Sequence, residues 1–164
     1  MRLVAAALSA LVVATLVPDP VHAADASKKT VPYYASISAS RARMRTGPAR
    51  TYPASWLYQR QDLPIKVVAI FKEWRKIADP DGTEGWMQAN LLSGTRTAVV
   101  RGTEPADLRE RPDASSRLSF RAAPGVVGRV SQCGNGWCRL DVKGQAGFVQ
   151  VGRVWGVEAG ETLP

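Results

Sequence analysis

Arg41, Arg43 and Arg45 alternate with Ala42 and Met44, and Arg50 and Arg60 follow soon after. Alternate residues of an extended strand share a face, so this spacing sets three guanidinium groups in a row, with the apolar residues behind them. A guanidinium presents a fixed fork of donors, and its chemistry is the bidentate capture of carboxylate or phosphate. Nearby, Tyr52, Trp56 and Tyr58 surround Pro53, and Trp74 opens a later segment. Aromatic side chains of this kind supply contact area and stacking beside such charges. We take Arg41, Arg43, Arg45, Tyr52, Trp56, Tyr58 and Trp74 as candidate ligand-binding residues. The plainer alternative is a solvated strand face, with one of each alternating aromatic pair in the core. Trp56 and Tyr58 flank Leu57, so the direction of Leu57 decides whether both aromatics are exposed.

The second candidate chemistry is sulfur. Cys133 and Cys138 flank Gly134-Asn135-Gly136-Trp137. Asn-Gly is the strongest signal for a two-residue hairpin turn, and such a turn sets residue 133 opposite residue 138. Cross-strand neighbours are close enough for a disulfide. The alternatives are a redox dithiol or a metal pair. The four intervening residues do not make a Cys-x-x-Cys motif, and no other soft ligand accompanies the two thiols. A structural bridge is the expectation, and its short loop limits the entropic stabilisation to about 2 kcal/mol.

Composition narrows the classes. Of the 164 residues, 45% are hydrophobic and 22% charged, which is globular rather than disordered composition. Residues 1–23 read as a signal peptide: Arg2 precedes an uncharged apolar run from Leu3 to Val17, and Val21-His22-Ala23 is an acceptable cleavage end. The run is short for a membrane span, which needs roughly 20 apolar residues. The expected mature chain starts at Ala24, sits in the periplasm or is secreted, and is not inserted in the membrane. Its surroundings are oxidising, which suits the disulfide.

Cleavage removes one Arg and one Asp, so the formal charge stays at +8. It also removes His22, the single histidine. Ser-His-Asp and Cys-His nucleophilic sites need an imidazole, as do most zinc sites with few cysteines. Asp79 and Asp81, in the stretch Asp79-Pro80-Asp81-Gly82, read as turn formers rather than a cation site. No catalytic residue, metal or cofactor is expected. The basic balance points to an acidic partner, and export disfavours nucleic acid.

The elements that position these residues come in two copies. In the first, Trp74 and Ile77 mark a short strand, residues 79 to 82 a turn, and Gly85-Trp86-Met87 the return. In the second, Trp137, Leu140, Gly144, Gly147, Phe148 and Val149 stand for Trp74, Ile77, Gly82, Gly85, Trp86 and Met87. Leu108-Arg109 with Pro112 echoes Met44-Arg45 with Pro48, and Val126 and Val130 echo Leu63 and Val67. Internal repeats outrank length in setting domain count. The expected organisation is a leader at residues 24–34, a first unit at 35–95, a linker at 96–107 that adds one short strand, and a second unit at 108–160. Each unit shows about five short strands split by Gly and Pro turns, which points to an all-β fold of two small barrels. Trp86 or Phe148, following a Gly on a central strand, is the expected core plug, so Trp86→Ala is expected to cost more than Trp74→Ala.

Taken together, Met44-Arg45-Thr46-Gly47-Pro48, Trp74 with Ile77, Asp81-Gly82 and Gly85-Trp86-Met87 resemble the bacterial SH3-like domain family. That family's first motif usually reads Asn-Val-Arg-x-Gly-Pro. Here Arg43 takes the place of the Asn, and in the second copy Arg111 takes the place of the Gly. The resemblance is to the exported tandem type with a Cys, Gly-rich turn and Trp-Cys element in its second copy. It implies two SH3-like barrels and binding to peptidoglycan or a peptide stem. The expected function is therefore a non-catalytic, monomeric envelope binding module whose first barrel carries the recognition surface and whose second is a spacer or docking unit. The alternative is an assembly protein that docks on a periplasmic partner through Trp155 or the linker strand.

Overall fold

The computed structural model describes residues 29–164, so the expected signal peptide and residues 24–28 lie outside the described residues. Fourteen short strands follow. The first seven are Tyr33–Ile37 (β1), Ala42–Arg45 (β2), Ala54–Tyr58 (β3), Pro64–Phe71 (β4), Trp74–Ala78 (β5), Glu84–Gln88 (β6) and Leu92–Ser93 (β7). The second seven are Thr97–Val100 (β8), Ala106–Arg109 (β9), Leu118–Ala122 (β10), Val127–Gly134 (β11), Trp137–Val142 (β12), Gln145–Gln150 (β13) and Val154–Trp155 (β14). One turn of 3-10 helix precedes β7, at Ala89–Leu91, and another precedes β14, at Val151–Arg153. Among the described residues, no helix is long and apolar enough to cross a membrane.

The strands form two seven-stranded sheets, ordered β3-β2-β6-β5-β4-β1-β7 and β10-β9-β13-β12-β11-β8-β14. Adding seven to each label of the first order gives the second, so the fold is an all-β duplication of one barrel. The registers agree as well. Ile77 lies opposite Gly85 as Leu140 lies opposite Gly147, and Ile70 opposite Arg75 as Cys133 opposite Cys138. Even the bulge recurs, after Val67 in β4 and after Val130 in β11. The count exceeds the expected five because the outer strands come from the margins. The leader supplies the start of β1, and β8, inside the segment expected as linker, pairs with β11 of the second sheet.

Each sheet curls round its own apolar cluster. The first holds Ile37, Met44, Ile65, Val67, Ile77 and Met87; the second holds Val100, Leu108, Val130, Leu140 and Val149 with both cysteines. The aromatic plug is a correction. Trp86 and Phe148 are half-buried on the outer face, while Met87 and Val149 are wholly buried. Strand alternation explains it: Gly85 and Met87 share the inner face, and Gly85 lacks a Cβ because one would lie 2.5 Å from Met44 Cγ. The glycine makes room for a facing methionine and does not introduce the tryptophan.

The hairpin between β11 and β12 turns through Asn135 (φ 52°) and Gly136 (φ 80°), the two positive φ angles of a type I′ turn. Cys133 and Cys138 face one another across it with Cα atoms 4.1 Å apart and are joined as a disulfide. In the first barrel the matching hairpin tip carries exposed Ile70 and Phe71 instead.

The two barrels meet along a seam. The Tyr34 ring of β1 takes the Trp155 ring edge-on at 5.2 Å, and Lys66 and Arg96 lie against the same Tyr34 ring. Lys66 pairs with Glu158 at 2.6 Å, and Arg96 holds Glu161 through two bonds of 2.5 and 2.9 Å. Leu163 then bridges back to Cys133 in both directions at 3.1 Å. Trp155 and the linker strand, the surfaces expected to meet a partner, are therefore engaged within the chain.

Candidate functional site

The arginine row is built by the alternation of β2. Ala42 and Met44 are buried in the first core, and Arg41 and Arg43 stand exposed. Paired residues on neighbouring strands share a face. Arg43 lies opposite Leu57 of β3, Arg45 opposite Trp86 of β6, and Gln88 opposite Trp74 of β5. The outer face of the sheet thus collects arginines, one leucine, one glutamine and two tryptophans. A groove of about 380 Å³ lies there, lined by Arg41, Arg43, Arg45 and Arg50 with Leu57, Trp74, Gln88 and Leu91.

Of the seven expected ligand residues, four meet in this groove: Arg41, Arg43, Arg45 and Trp74. Trp74 is only 3% exposed, so it serves as floor rather than platform. The other three are corrections to the expected grouping. Leu57 points to the arginine side, which turns Tyr58 inward to the core at 6% exposure and places Trp56, 57% exposed, on the face away from the groove. The Tyr58 hydroxyl donates to Asp79 Oδ2 at 2.9 Å. Burial, followed by that hydrogen bond and the Asp79 charge, pushes the hydroxyl well above the ordinary tyrosine range. Asp79 Oδ1 also accepts the N–H groups of Asp81 and Thr83, at 3.0 and 2.8 Å, so Asp79 organises its turn. Tyr52 lies over Gly47 on the loop that follows β2.

Four groove residues were not among the expected seven. Arg50, Leu57, Gln88 and Leu91 carry no motif of their own. Leu57 and Gln88 are found only once the strand register is known, and Leu91 belongs to the 3-10 turn after β6.

The charge of the groove is uncompensated. Among the described residues, none of Arg41, Arg43, Arg45 and Arg50 forms an ion pair, whereas seven other basic side chains do. Arg45 spends one nitrogen on its own loop, donating from Nη1 to the Tyr52 carbonyl at 2.7 Å. Arg109 does the same in the second barrel, to the Ser116 carbonyl at 2.7 Å.

The duplication supplies an internal comparison. The matching groove of the second barrel, about 230 Å³, keeps Arg109, Trp137 and Gln150 where the first has Arg45, Trp74 and Gln88. Asp107 occupies the position of Arg43, and Arg121 that of Leu57. Asp107 accepts from Arg121 Nε at 2.9 Å and Arg109 Nη2 at 3.0 Å. The Arg121 bond, with the charges of Arg121, Arg109 and Arg153, outweighs burial and holds its carboxyl below the usual carboxylate range. The second groove holds a carboxylate that two guanidinium groups share, and the lining of the first holds none. A larger cleft of about 480 Å³ lies between the barrels, but its walls mix Arg60, Arg129 and Lys143 with Asp62 and Asp141, so no single ligand charge suits it.

Comparison with known proteins agrees with this duplication. The family model of the bacterial SH3 domain matches twice, over residues 38–94 and 102–156. The chain belongs to the bacterial SH3 domain family. Each match falls on one barrel of this tandem bacterial SH3 protein, and the motif arginines, Arg45 and Arg109, are the pair that brace the loop after β2 and the loop after β9. No curated protein matches the chain. Solved structures similar to it include NlpC2 and NlpC1 from Trichomonas vaginalis, each 8% identical with a TM-score of 0.35. The alignments cover 78% and 79% of this chain and 51% and 47% of those chains, so the chain spans about half their length.

Proposed function

We propose that this tandem bacterial SH3 protein is a non-catalytic binding module of the cell envelope, and that its first barrel binds the acidic peptide portion of peptidoglycan. The observation that carries the reading is the contrast between the two grooves: four arginines without a carboxylate in the first, and arginines already paired with Asp107 in the second. Unpaired guanidinium groups round a tryptophan floor suit a carboxylate-bearing ligand, by bidentate pairing above and apolar contact below. Family membership and the disulfide favour an exported protein in an oxidising compartment. The second barrel acts as a docked partner to the first.

Cosedimentation with purified sacculi tests this. The whole chain is expected to sediment at low salt and to be released as salt screens the arginines. The double substitution Arg43→Asp with Leu57→Arg gives the first groove the Asp–Arg pair of the second, an arrangement the second barrel already accommodates. It is expected to stay folded and to lose sedimentation. A wild-type chain that fails to sediment, or a swapped variant that sediments as well as wild type, overturns the reading.

A further inference from the structure

We infer that the first groove takes an extended peptide bearing acidic side chains at alternate residues, laid alongside β2, rather than a ligand with one carboxylate. The inference rests on the groove reading above and adds the number and spacing of the ligand's charges. Arg43 and Arg45 project from the same face of β2, and Arg41 lines the groove one alternate position earlier. Alternate residues of a strand lie roughly 7 Å apart. An extended peptide has the same period, so its acidic side chains at alternate positions meet successive guanidinium groups without strain in either chain.

The charges of the groove favour more than one anion. Arg41 and Arg43 are exposed and make no ion pair among the described residues, and Arg50 adds a third free cation from the loop. Arg45 retains its Nε and Nη2 donors after bonding Tyr52. A single carboxylate would answer one of these groups and leave the others repelling one another. Leu57 and Leu91, on the groove walls, offer apolar contact to the peptide backbone and to the methylene carbons of its acidic side chains.

Three synthetic blocked pentapeptides of equal length separate the possibilities. One has the sequence Ala-Glu-Ala-Glu-Ala, one Ala-Glu-Glu-Ala-Ala and one Ala-Glu-Ala-Ala-Ala. Titration of the whole protein, followed by calorimetry and amide chemical shifts, is expected to give at least tenfold tighter binding of the alternating peptide than of either control. Its shifts should fall on β2 and Gln88, and Arg41→Ala and Arg43→Ala should each reduce that preference towards unity. Equal binding of the alternating and adjacent-acid peptides overturns the inference, because charge alone would then suffice. So does absence of peptide binding by a chain that still sediments with sacculi, an outcome that leaves the envelope reading standing. Selective peptide binding by a chain that does not sediment supports this inference and overturns the envelope reading.

Discussion

At the residue scale, the departure of the second copy from the family motif has a local cause. A Cβ at Gly47 would lie 2.5 Å from the Tyr52 ring, so that ring requires glycine beneath it. In the second barrel the residue at the Tyr52 position is Ser116, and the freed space accepts Arg111, whose N–H donates to Ser116 Oγ at 3.1 Å. Gly47→Ala is therefore expected to cost about 1–3 kcal/mol, the usual penalty for overpacking. Adding Tyr52→Ser should recover most of it, and a double-mutant cycle from denaturant melts measures the coupling. The tryptophans make a second prediction. Trp74 is buried and Trp86 half-buried, so Trp74→Ala is expected to cost roughly 3–5 kcal/mol and Trp86→Ala markedly less. Urea midpoints of the two variants check the order. The sequence shows the aromatic types plainly, but not which face each occupies. Parity along a strand is readable, whereas which parity faces inward depends on the partner strand. Met87 beat Trp86 to the core because Gly85 sits opposite Ile77 and under Met44.

At the element scale, hairpins were the most legible part of the chain. Asn135-Gly136 and the flanking cysteines specify turn, register and bridge together, since a two-residue loop leaves one pairing available. The repeat was legible for the same reason: Gly85 and Gly147 mark equivalent close approaches of backbone to side chain. The outer strands were not, because β7 and β14 are two residues long and form only where β1 and β8 offer an edge. The candidate groove was half legible. The arginines announce themselves by alternation, but Leu57 and Gln88 become neighbours of Arg43 only through the order β3-β2-β6. A prediction belongs to the bridged hairpin. Replacing Cys133 and Cys138 by serine should lower stability by about 2 kcal/mol, the entropy of a short loop. Because Leu163 pairs with Cys133, amide exchange should rise at residues 161–164 as well as at the turn, while the first barrel keeps its protection.

At the scale of the whole molecule, the seam decides whether two barrels behave as one body. Glu161 is central to it: the hydrogen bonds from Arg96, together with the Glu158 N–H and the Arg96 charge, outweigh burial and hold its carboxyl below the usual glutamate range. A group whose folded pKa is depressed stabilises fully above its unfolded pKa and stops doing so as pH falls through the folded value. The seam should therefore loosen in acid, below the ordinary glutamate range, and be indifferent to pH near neutrality. Near-UV circular dichroism of the Tyr34–Trp155 contact, followed from neutral to acid pH, should report the loosening. Glu161→Gln should weaken the contact at neutral pH and flatten its acid dependence. A wild-type signal unchanged down to strongly acid pH counts against the assignment.

The seam also imposes an order in time. Two of its members, Tyr34 and Lys66, belong to the first barrel, whereas Trp155, Glu158 and Glu161 come from β14 and the residues that follow it. A polypeptide that appears amino end first can complete its first barrel while the closing residues are still to come. For that interval Tyr34 and the Lys66 face are open to solvent and to other chains. A product cut short before Trp155 would keep them open permanently. β14 and the residues after it are thus a proofreading mark: only a chain that extends through Glu158 covers Tyr34 and Lys66 of its own first barrel.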